Sequence, residues 1–303
     1  MARATYLEDT CRTALNRVPD ESRLPFRYTV NPYRGCAHSC HYCFARAYHS
    51  YLDLDVGEDF SSRIVVKTNV AEVLRRELAS PRWTREAIAM GTATDPYQQC
   101  EGRYRLTRAV LEALVAHRTP LSLLTKSTLV LRDLDLLRAL DEAAGATLSM
   151  SVGTVDEAVR RVVEPGTPPA QRRLDVLARF AAAGIRTSVL VAPILPGLTD
   201  DEEHLDAVLA ACRAAGVRHV TPIALHVRAG IRPHFLPWLA RTYPELVPRY
   251  RELYGRRAYA PADYRARLAE RFDRLRLRHG LAGGQGRPEA GRRAAEAQLS
   301  LAV

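Results

Sequence analysis

The fold of this chain is decided by one short stretch, Gly35-Cys36-Ala37-His38-Ser39-Cys40-His41-Tyr42-Cys43. Its three cysteines have the spacing C-x3-C-x2-C, which six cysteines in 303 residues would rarely produce by chance. A loop this short can wrap three thiolates around a cubane iron–sulfur cluster, whose complete ligation by protein would need a fourth cysteine. The remaining cysteines, Cys11, Cys100 and Cys212, are isolated in the sequence. The fourth iron of a [4Fe-4S] cluster bound here would therefore be open to a small ligand.

Structural zinc is the alternative interpretation of the same stretch. Cys36, Cys40 and Cys43 could bind zinc together with His38 or His41. Zinc knuckles usually separate two ligand pairs by a longer stretch, and this cluster has no second pair. With zinc, the chain would be a nucleic-acid-binding protein without catalysis.

One short apolar segment precedes this stretch, and five more alternate with helical patterns after it. Each apolar segment is bounded by Gly, Pro, Ser or Thr, as is typical of buried parallel strands. The alternation predicts parallel strands with right-handed crossovers, and six repeats favour an open barrel over a closed eight-unit one. In such barrels the catalytic groups lie at the C-terminal ends of the strands. The predicted strands are 26–30, 87–90, 121–124, 147–152, 187–191 and 219–223.

Local signals place helices between these strands. Apolar residues recur every three or four positions within 106–114, 134–140 and 174–180. Gly184 and Gly216 follow two of the helical patterns, where a left-handed residue can end a helix. Thr199-Asp200-Asp201-Glu202-Glu203 supplies a capping residue and acids for the start of the next helix.

The domain organisation predicted from these patterns has four parts. Residues 1–25 form a polar, irregular lead-in and residues 26–226 form the barrel. Residues 227–281, rich in arginine and aromatic residues, form two or three helices that pack on the barrel. Residues 282–303 form a disordered tail, because they are rich in Gly, Ala and Arg and have no long apolar face.

Composition places the chain among soluble globular proteins, with 47% hydrophobic and 26% charged residues. No apolar stretch reaches eighteen residues and no apolar leader precedes the barrel, so we expect a cytoplasmic protein with no membrane segment. Cytoplasmic thiols stay reduced, which favours ligand or core roles for the cysteines over disulfides.

The net charge of +10 is concentrated toward the C-terminus. Residues 226–281 hold thirteen arginines against five acidic residues, a balance that suits a phosphate-rich partner such as nucleic acid. Composition bias is the alternative, because Lys67 and Lys126 are the only lysines in an arginine-rich chain.

The cysteine spacing after a first strand resembles the radical S-adenosylmethionine (SAM) superfamily. The resemblance covers about residues 28–226, and it is closest to the spore-photolyase-like branch, often called DNA repair photolyases. It implies an α/β fold, a partial (β/α)6 radical SAM barrel with a helical, Arg-rich C-terminal extension. The motifs similar to that branch are 31–36, 91–98, 106–108, 125–127, 164–168 and 192–200.

The resemblance also implies a function and its cofactors. Such an enzyme reductively cleaves SAM at a [4Fe-4S] cluster, held by Cys36, Cys40 and Cys43, to a 5′-deoxyadenosyl radical. The radical abstracts hydrogen from a substrate, which in photolyase-like relatives is a nucleic-acid lesion. An external donor such as flavodoxin or ferredoxin would supply the electron. Lyase or other radical chemistry on a peptide or small molecule is the alternative.

Eight residues are candidates for binding SAM. Tyr42 precedes the third cysteine, where the superfamily usually has an aromatic residue near the adenine. The resemblance implies that the end of the second strand binds the SAM amino group and that the fourth strand binds the ribose. It also implies that the segment after the fourth strand binds the carboxylate and that the turn after the fifth strand contacts the adenine. The candidates are Tyr42, Thr92, Thr94, Asp95, Ser151, Arg161, Arg173 and Pro193.

The hydrogen donor is less clearly marked. The spore enzyme has a tyrosine after the third cysteine and a donor cysteine before its Thr-x-Asp-like stretch, but here Phe44 and Thr92 occupy those places. Repair of thymine dimers by that route is therefore doubtful. Cys100 and Tyr97, expected in a loop over the barrel opening, are the catalytic candidates instead.

Overall fold

Six parallel strands form the centre of an eight-stranded sheet in the computed structural model, which describes residues 4–19 and 26–283. The order in this sheet is β11-β10-β9-β8-β7-β6-β3-β2, so β3 and β6 to β10 lie side by side in chain order. β2 and β11 lie at opposite edges of this sheet and, within the described residues, do not pair with each other, so the barrel is open. The strands are β1 Thr5–Asp9, β2 Asn16–Arg17, β3 Tyr28–Val30, β4 Tyr33–Arg34, β5 Arg63–Lys67, β6 Ile88–Met90, β7 Leu121–Thr125, β8 Ala146–Ser151, β9 Arg186–Ile194, β10 His219–Ala224 and β11 Ala282–Gly283.

Helices cover the outer face of the sheet and follow its strands in sequence. All six residues of β8 are buried, as expected of a strand between the helices and the barrel interior. The α-helices are α1 Glu58–Ser62, α2 Val70–Leu78, α3 Glu101–Tyr104, α4 Leu106–Ala116, α5 Leu134–Ala143, α6 Glu157–Val163, α7 Ala170–Ala182, α8 Glu202–Ala214, α9 Arg232–Thr242, α10 Val247–Tyr254 and α11 Ala262–Arg278. Turns of 3-10 helix occupy Phe44–Leu52, Thr128–Asp133, Ala229–Ile231 and Pro244–Leu246.

The predicted α/β fold with a partial barrel is confirmed. Each of the six predicted strands is present, with ends that differ from the prediction by at most three residues. Gly184 and Gly216 follow α7 and α8 with φ of 86° and 73°, as expected of helix C-termini. The side chain of Asp201 accepts a hydrogen bond from the backbone nitrogen of His204 at 2.9 Å and so caps α8.

The prediction of an irregular lead-in is wrong for Thr5–Asp9. This segment is β1, which pairs in parallel with β5, a strand that the sequence analysis missed. On its other side β5 pairs antiparallel with β4, so the three strands form a small second sheet beside the cysteine loop. Ile64 and Val66 of β5 are fully buried, and this burial holds the segment between the cysteine loop and α2 in a strand.

The C-terminal extension forms three helices, α9 to α11. Phe235, Tyr250 and Phe272 are buried and belong to the same hydrophobic core as the barrel. The predicted tail begins in a strand, because Ala282 and Gly283 pair in parallel with His219 and Val220. The rest of that tail lies outside the described residues. No described helix is long and apolar enough to span a membrane.

Candidate active site

The C-terminal ends of the parallel strands open into two adjoining cavities. The smaller has a volume of about 200 Å³ and the larger about 640 Å³. They lie side by side, because seven residues belong to the walls of both. The shared residues are Phe44, Gly91, Thr92, Leu124, Leu190, Ile223 and His226.

All three cysteines of the loop after β3 line the smaller cavity. Cys36 and Cys40 are buried and Cys43 is half-buried. Burial raises the pKa of the Cys40 thiol to about 12, and it raises the pKa of Cys36 well above its ordinary value. Metal ligands must be thiolates, so metal binding to this loop would release protons.

Two glycines allow neighbouring backbone to approach the cysteine loop. A Cβ on Gly35, whose φ is 82°, would lie 2.8 Å from the carbonyl oxygen of Phe60. A Cβ on Gly166 would lie 2.4 Å from the carbonyl oxygen of Ala37. The Gly166 nitrogen also donates to the carbonyl oxygen of His38 at 3.0 Å. The 164–168 motif is therefore a support for the cysteine loop.

Arg46 lies beneath the loop, fully buried, and donates only to backbone carbonyls. Its Nε reaches Cys40 at 2.9 Å and its Nη2 reaches Ser39 at 3.1 Å. Its Nη1 reaches Val56 at 3.0 Å and Gly57 at 2.6 Å. Burial lowers the pKa of Arg46, while the three cysteines act in the opposite direction. No ion pair to a described carboxylate is formed, so its charge is available to offset that of the thiolates.

The two histidines of the loop have partners outside the thiol group. His38 Nδ1 lies 3.2 Å from Asp95 Oδ2. The ring of His41 stacks on Trp238 at 4.6 Å between centroids, and its Nδ1 lies 3.1 Å from His234 Nε2. In residues 4–19 and 26–283, no three His, Cys, Asp or Glu side chains are placed to hold a single metal ion. The donor set, three thiols on a loop backed by a buried cation, fits an iron–sulfur cluster with one open iron.

Six of the eight SAM candidates line the smaller cavity, namely Tyr42, Thr92, Thr94, Asp95, Ser151 and Pro193. Asp95 ties several elements together. Its Oδ1 accepts from the hydroxyl of Thr125 at 2.7 Å, and its Oδ2 accepts from the Lys126 nitrogen at 2.7 Å. Burial acts to raise the pKa of Asp95, but His38 and these hydrogen bonds outweigh it and lower the pKa to about 2.

Thr94 and Ser151 direct their hydroxyl groups to carbonyl oxygens. Thr94 Oγ1 donates to Gly35 at 2.6 Å, and Ser151 Oγ donates to Ala192 at 2.7 Å. Thr94 Oγ1 also accepts from Gln98 Nε2 at 2.9 Å, so it has one lone pair left to accept from a ligand. The Ser151 hydroxyl accepts from no described donor and has both lone pairs left. Gly91 closes the turn before them with a φ of 95°, where a Cβ would meet the Leu124 carbonyl oxygen at 1.9 Å.

The two arginine candidates lie away from the cavity wall. Arg161 is exposed on α6. Arg173 is 1% exposed, and its Nη2 pairs with Glu164 Oε2 at 2.6 Å while its Nη1 donates to the Ser151 carbonyl oxygen at 2.9 Å. Glu164 in turn accepts from the hydroxyl of Tyr42. Arg173 therefore positions residues of the cavity wall and does not itself face the cavity.

Lys126 is the cation that does line the smaller cavity. Its Nζ lies 5.8 Å from the centroid of the Tyr42 ring. Burial acts to lower the pKa of Lys126, but Glu164 and Cys40 raise it above its ordinary value. Lys126 is not among the SAM candidates predicted from the sequence, although its place directly after β7 was the available signal.

Residues 30–209 match the radical SAM superfamily. The chain belongs to this superfamily. An uncharacterized protein of Mycobacterium tuberculosis is 51% identical over 279 residues, which cover 92% of this chain and 82% of that protein. A radical SAM Nalpha-GlyT isomerase of Pseudomonas phage M6 is 29% identical over 205 residues, covering 66% of this chain and 39% of the phage protein.

Solved structures of spore photoproduct lyase share the fold. A mutant with bound AdoMet and dinucleoside spore photoproduct has a TM-score of 0.67 at 16% identity, covering 92% of this chain and 81% of that chain. A second, complexed with dinucleoside spore photoproduct, has a TM-score of 0.65 at 17% identity over the same shares. The superfamily implies a [4Fe-4S] cluster and SAM, and it favours the iron–sulfur interpretation of the cysteine loop over zinc.

The two catalytic candidates of this radical SAM protein are not on the wall of either cavity. Cys100 and Tyr97 are each 1% exposed, and neither lines a cavity. The Tyr97 hydroxyl donates to Asp133 at 3.1 Å, and burial raises the pKa of Cys100 to about 12. The loop that carries them folds inward, onto the buried carboxylates of Glu101 and Asp133. This placement does not support the expected position over the barrel opening.

The larger cavity is rich in aromatic rings and cations. Tyr51 is 80% exposed, and its ring stacks on that of Tyr48 at 6.4 Å between centroids. None of the described residues that line this cavity is acidic. Its aromatic lining residues are Phe26, Tyr33, Phe44, Tyr48 and Tyr51, and its cations are Arg17, Arg34, Lys67 and Arg228. His226 also lines it, but burial lowers the pKa of His226 to about 4, so its ring is neutral at pH 7.

Several arginines of the C-terminal segment form ion pairs at the surface of the protein itself. Arg274 pairs with Glu202 at 2.6 Å, and Arg278 pairs with Asp206 at 2.5 Å, so α11 is docked on α8. Arg249 pairs with Asp200 at 2.6 Å. The whole segment 226–281 is therefore not a free basic surface. Its exposed arginines beside the larger cavity lie around Tyr259, which accepts from Arg228 at 3.2 Å.

Proposed function

We propose that this chain is a radical SAM enzyme that abstracts hydrogen from a nucleotide unit of a nucleic acid. Cys36, Cys40 and Cys43 would hold the [4Fe-4S] cluster, and the other residues of the smaller cavity would hold SAM. Bound together and given an electron by a flavodoxin or ferredoxin, these cofactors supply a 5′-deoxyadenosyl radical. The target nucleotide would occupy the larger cavity.

The observation that carries this proposal is the lining of the larger cavity. It adjoins the smaller cavity through shared walls and combines aromatic rings with cations, without an acidic residue among its described lining. Aromatic rings stack on bases of any sequence, and basic side chains bind phosphates. A volume of about 640 Å³ is within the range that accepts ligands of nucleotide size.

Residues of the smaller cavity suit the two charged ends of SAM. Lys126 offers an ammonium group for a carboxylate, and the Thr94 and Ser151 hydroxyls can accept from an amino or ribose group. Tyr42 is held by Glu164, so its ring is fixed against the cavity. The carboxylate of Glu164 is itself fixed by Arg173 at 2.6 Å. These contacts preorganise the wall before a ligand binds.

The rim of the larger cavity continues onto an exposed basic strip. Arg228 lies over Phe44, with its guanidinium carbon 6.0 Å from the ring centroid, and donates to the Tyr259 hydroxyl. Arg256 and Arg257 are exposed in the turn after α10, just before the backbone pairing of Ala258 with Val227 and of Tyr259 with His226. This basic strip would bind the nucleic-acid strand on either side of the nucleotide that enters the cavity.

The fold of spore photoproduct lyase, solved with a dinucleoside bound, supports a substrate of this class. The chemical outcome differs from repair by the spore enzyme, because neither Phe44 nor Thr92 can donate hydrogen as a tyrosine or cysteine can. We therefore propose modification or rearrangement of a nucleotide as the reaction class.

The test is an anaerobic incubation of the reconstituted enzyme with SAM and dithionite, in the presence and absence of DNA and RNA oligonucleotides. The expected result is 5′-deoxyadenosine formation stimulated by one nucleic acid and a product nucleotide of altered mass. Abortive SAM cleavage unaffected by any nucleic acid, with stimulation by a peptide pool, would overturn the proposal in favour of a peptide substrate.

A further inference from the structure

The larger cavity contains a lysine that the proposed chemistry leaves unused. Lys67 is the last residue of β5 and is 8% exposed, yet it lines the larger cavity. Its Nζ donates to the carbonyl oxygen of Asn31 at 3.0 Å. No described carboxylate forms an ion pair with it. A buried ammonium group without an ion pair is unfavourable and calls for a partner.

A second cation, Arg34, lies on the same side of the small sheet as Lys67. Arg34 of β4 lies opposite Val65 in the antiparallel pairing with β5. Val65 and Lys67 are two residues apart, so they project to the same face, and Arg34 projects with them. Arg34 is exposed and lines the same cavity. The register of the small sheet therefore brings two cations to one side of the larger cavity.

The groups around Lys67 do not neutralise this pair. Burial and then Arg34 lower the pKa of Lys67, while Cys11 and Asp9 act in the opposite direction but do not reverse the shift. Asp9 pairs with Lys67 in the register of β1 and β5, but its carboxylate is exposed and accepts from the Thr10 nitrogen at 2.7 Å. An anion in the cavity would relieve both the burial of the ammonium group and the repulsion between the cations.

We propose that Lys67 and Arg34 form an anion subsite that binds a phosphodiester group of the substrate. The ammonium group has two hydrogens left after its bond to Asn31, and the guanidinium can bind two phosphate oxygens at once. The subsite rests on the proposed function and deepens it. It fixes the phosphate next to the nucleotide in the larger cavity and so determines which sugar or base is presented to the smaller cavity.

The test compares two ligands that differ by one charge. Thymidylyl-thymidine and its neutral methylphosphonate analogue are titrated into the reconstituted, SAM-loaded enzyme. The wild type is expected to bind the phosphodiester about tenfold or more tightly than the neutral analogue, as hydrogen bonds to charged groups predict. Lys67→Met and Arg34→Met should each remove that preference and leave affinity for the neutral analogue unchanged.

The exposed position of Arg34 makes Arg34→Met a safe second variant if Lys67→Met fails to fold. The matched control is Arg76→Met, which removes an exposed arginine of α2 that lines neither cavity. Retention of the wild-type preference in both cavity variants would overturn the subsite.

A second measurement separates failure of the subsite from failure of the proposed function. Reductive methylation with ¹³C labels only two lysine side chains in this chain, Lys67 and Lys126, and Lys67→Arg assigns their signals. If neither dinucleotide binds, but inorganic phosphate shifts the Lys67 signal and Arg34→Met abolishes the shift, the subsite stands and the nucleic-acid substrate is wrong. No shift of the Lys67 signal with phosphate or with the dinucleotide overturns the subsite.

Discussion

Arg46 Nε donates to the carbonyl oxygen of Cys40 at 2.9 Å, from a guanidinium that is buried beneath all three cysteines. The contact lies between residues six apart, and it fixes the backbone of the loop from below. The same group supplies a positive charge at the place where a thiolate-bound cluster would bring negative charge. Arg46 would therefore support a cluster in two ways, by fixing the loop backbone and by offsetting the charge of the thiolates.

Replacing Arg46 by Lys should weaken cluster binding about 10- to 100-fold, because groups that orient metal ligands have effects of that size. A lysine keeps the charge but cannot reach the four carbonyls that the guanidinium contacts. Iron and sulfide per chain after anaerobic reconstitution, at limiting iron, measure the effect. Arg63→Lys, at an exposed arginine of β5, is the control. Equal iron content in Arg46→Lys and the wild type would show that the contact is dispensable.

Each of Cys36→Ala, Cys40→Ala and Cys43→Ala should abolish the cluster and the formation of 5′-deoxyadenosine, because no other thiol among the described residues lines the smaller cavity. The wild type should contain about four iron and four sulfide per chain. Cys11→Ala, which removes a half-buried thiol outside both cavities, should retain both. A stoichiometric zinc content without iron in the anaerobically prepared wild type would contradict the iron–sulfur assignment.

Lys126→Met should lower the affinity for SAM about tenfold or more, the expected cost of losing a charged hydrogen bond. Arg161→Ala should leave SAM affinity unchanged, because Arg161 is exposed outside the smaller cavity. Equilibrium dialysis of SAM against the reconstituted variants measures both. A large loss with Arg161→Ala and none with Lys126→Met would restore the sequence-based assignment of the carboxylate ligand.

Glu164 should make stability depend on acid pH. Burial acts to raise its pKa, but Arg173 and Lys126 outweigh burial and lower it from 4.5 to about 2. A depressed carboxyl pKa contributes stability above about pH 4.5, and this is lost as the pH falls toward 2. Glu164→Gln should remove this part of the pH dependence. It should also destabilise the apoprotein by about 3–5 kcal/mol at neutral pH, because Arg173 would then be buried without its ion pair. Urea unfolding at several pH values measures both effects, and an unchanged pH profile in Glu164→Gln would contradict them.

The sequence predicted the elements whose signals are local. The alternation of strands and helices follows from periodicity over ten or so residues, and the cysteine spacing is contained in one loop. Contacts between distant segments carried no such signal. Tyr42 contacts Glu164 across 122 residues of sequence, and Lys67 contacts Asn31 across 36. Cys100 shows the same limit, since spacing from Thr92 placed it near the opening but could not show that its loop turns inward.

The last prediction concerns which arginines bind nucleic acid. Arg256 and Arg257 are exposed in the turn just before Tyr259, which pairs with His226 of the larger cavity, whereas Arg274 and Arg278 pair with Glu202 and Asp206. Each phosphate contact to a single strand contributes about 0.7 to the slope of log affinity against log salt, so four contacts give a slope of about −3. Changing Arg256 and Arg257 to Ala should reduce the magnitude of that slope by about 1 to 2.

The control removes the same formal charge by changing Arg274 and Arg278 to Ala. It should leave the slope within about 0.5 of the wild type, because these side chains form ion pairs with residues of α8. A salt titration of binding to a single-stranded oligonucleotide measures both double variants. Equal reductions in the two would mean that binding follows net charge alone and that the basic strip has no special part in it.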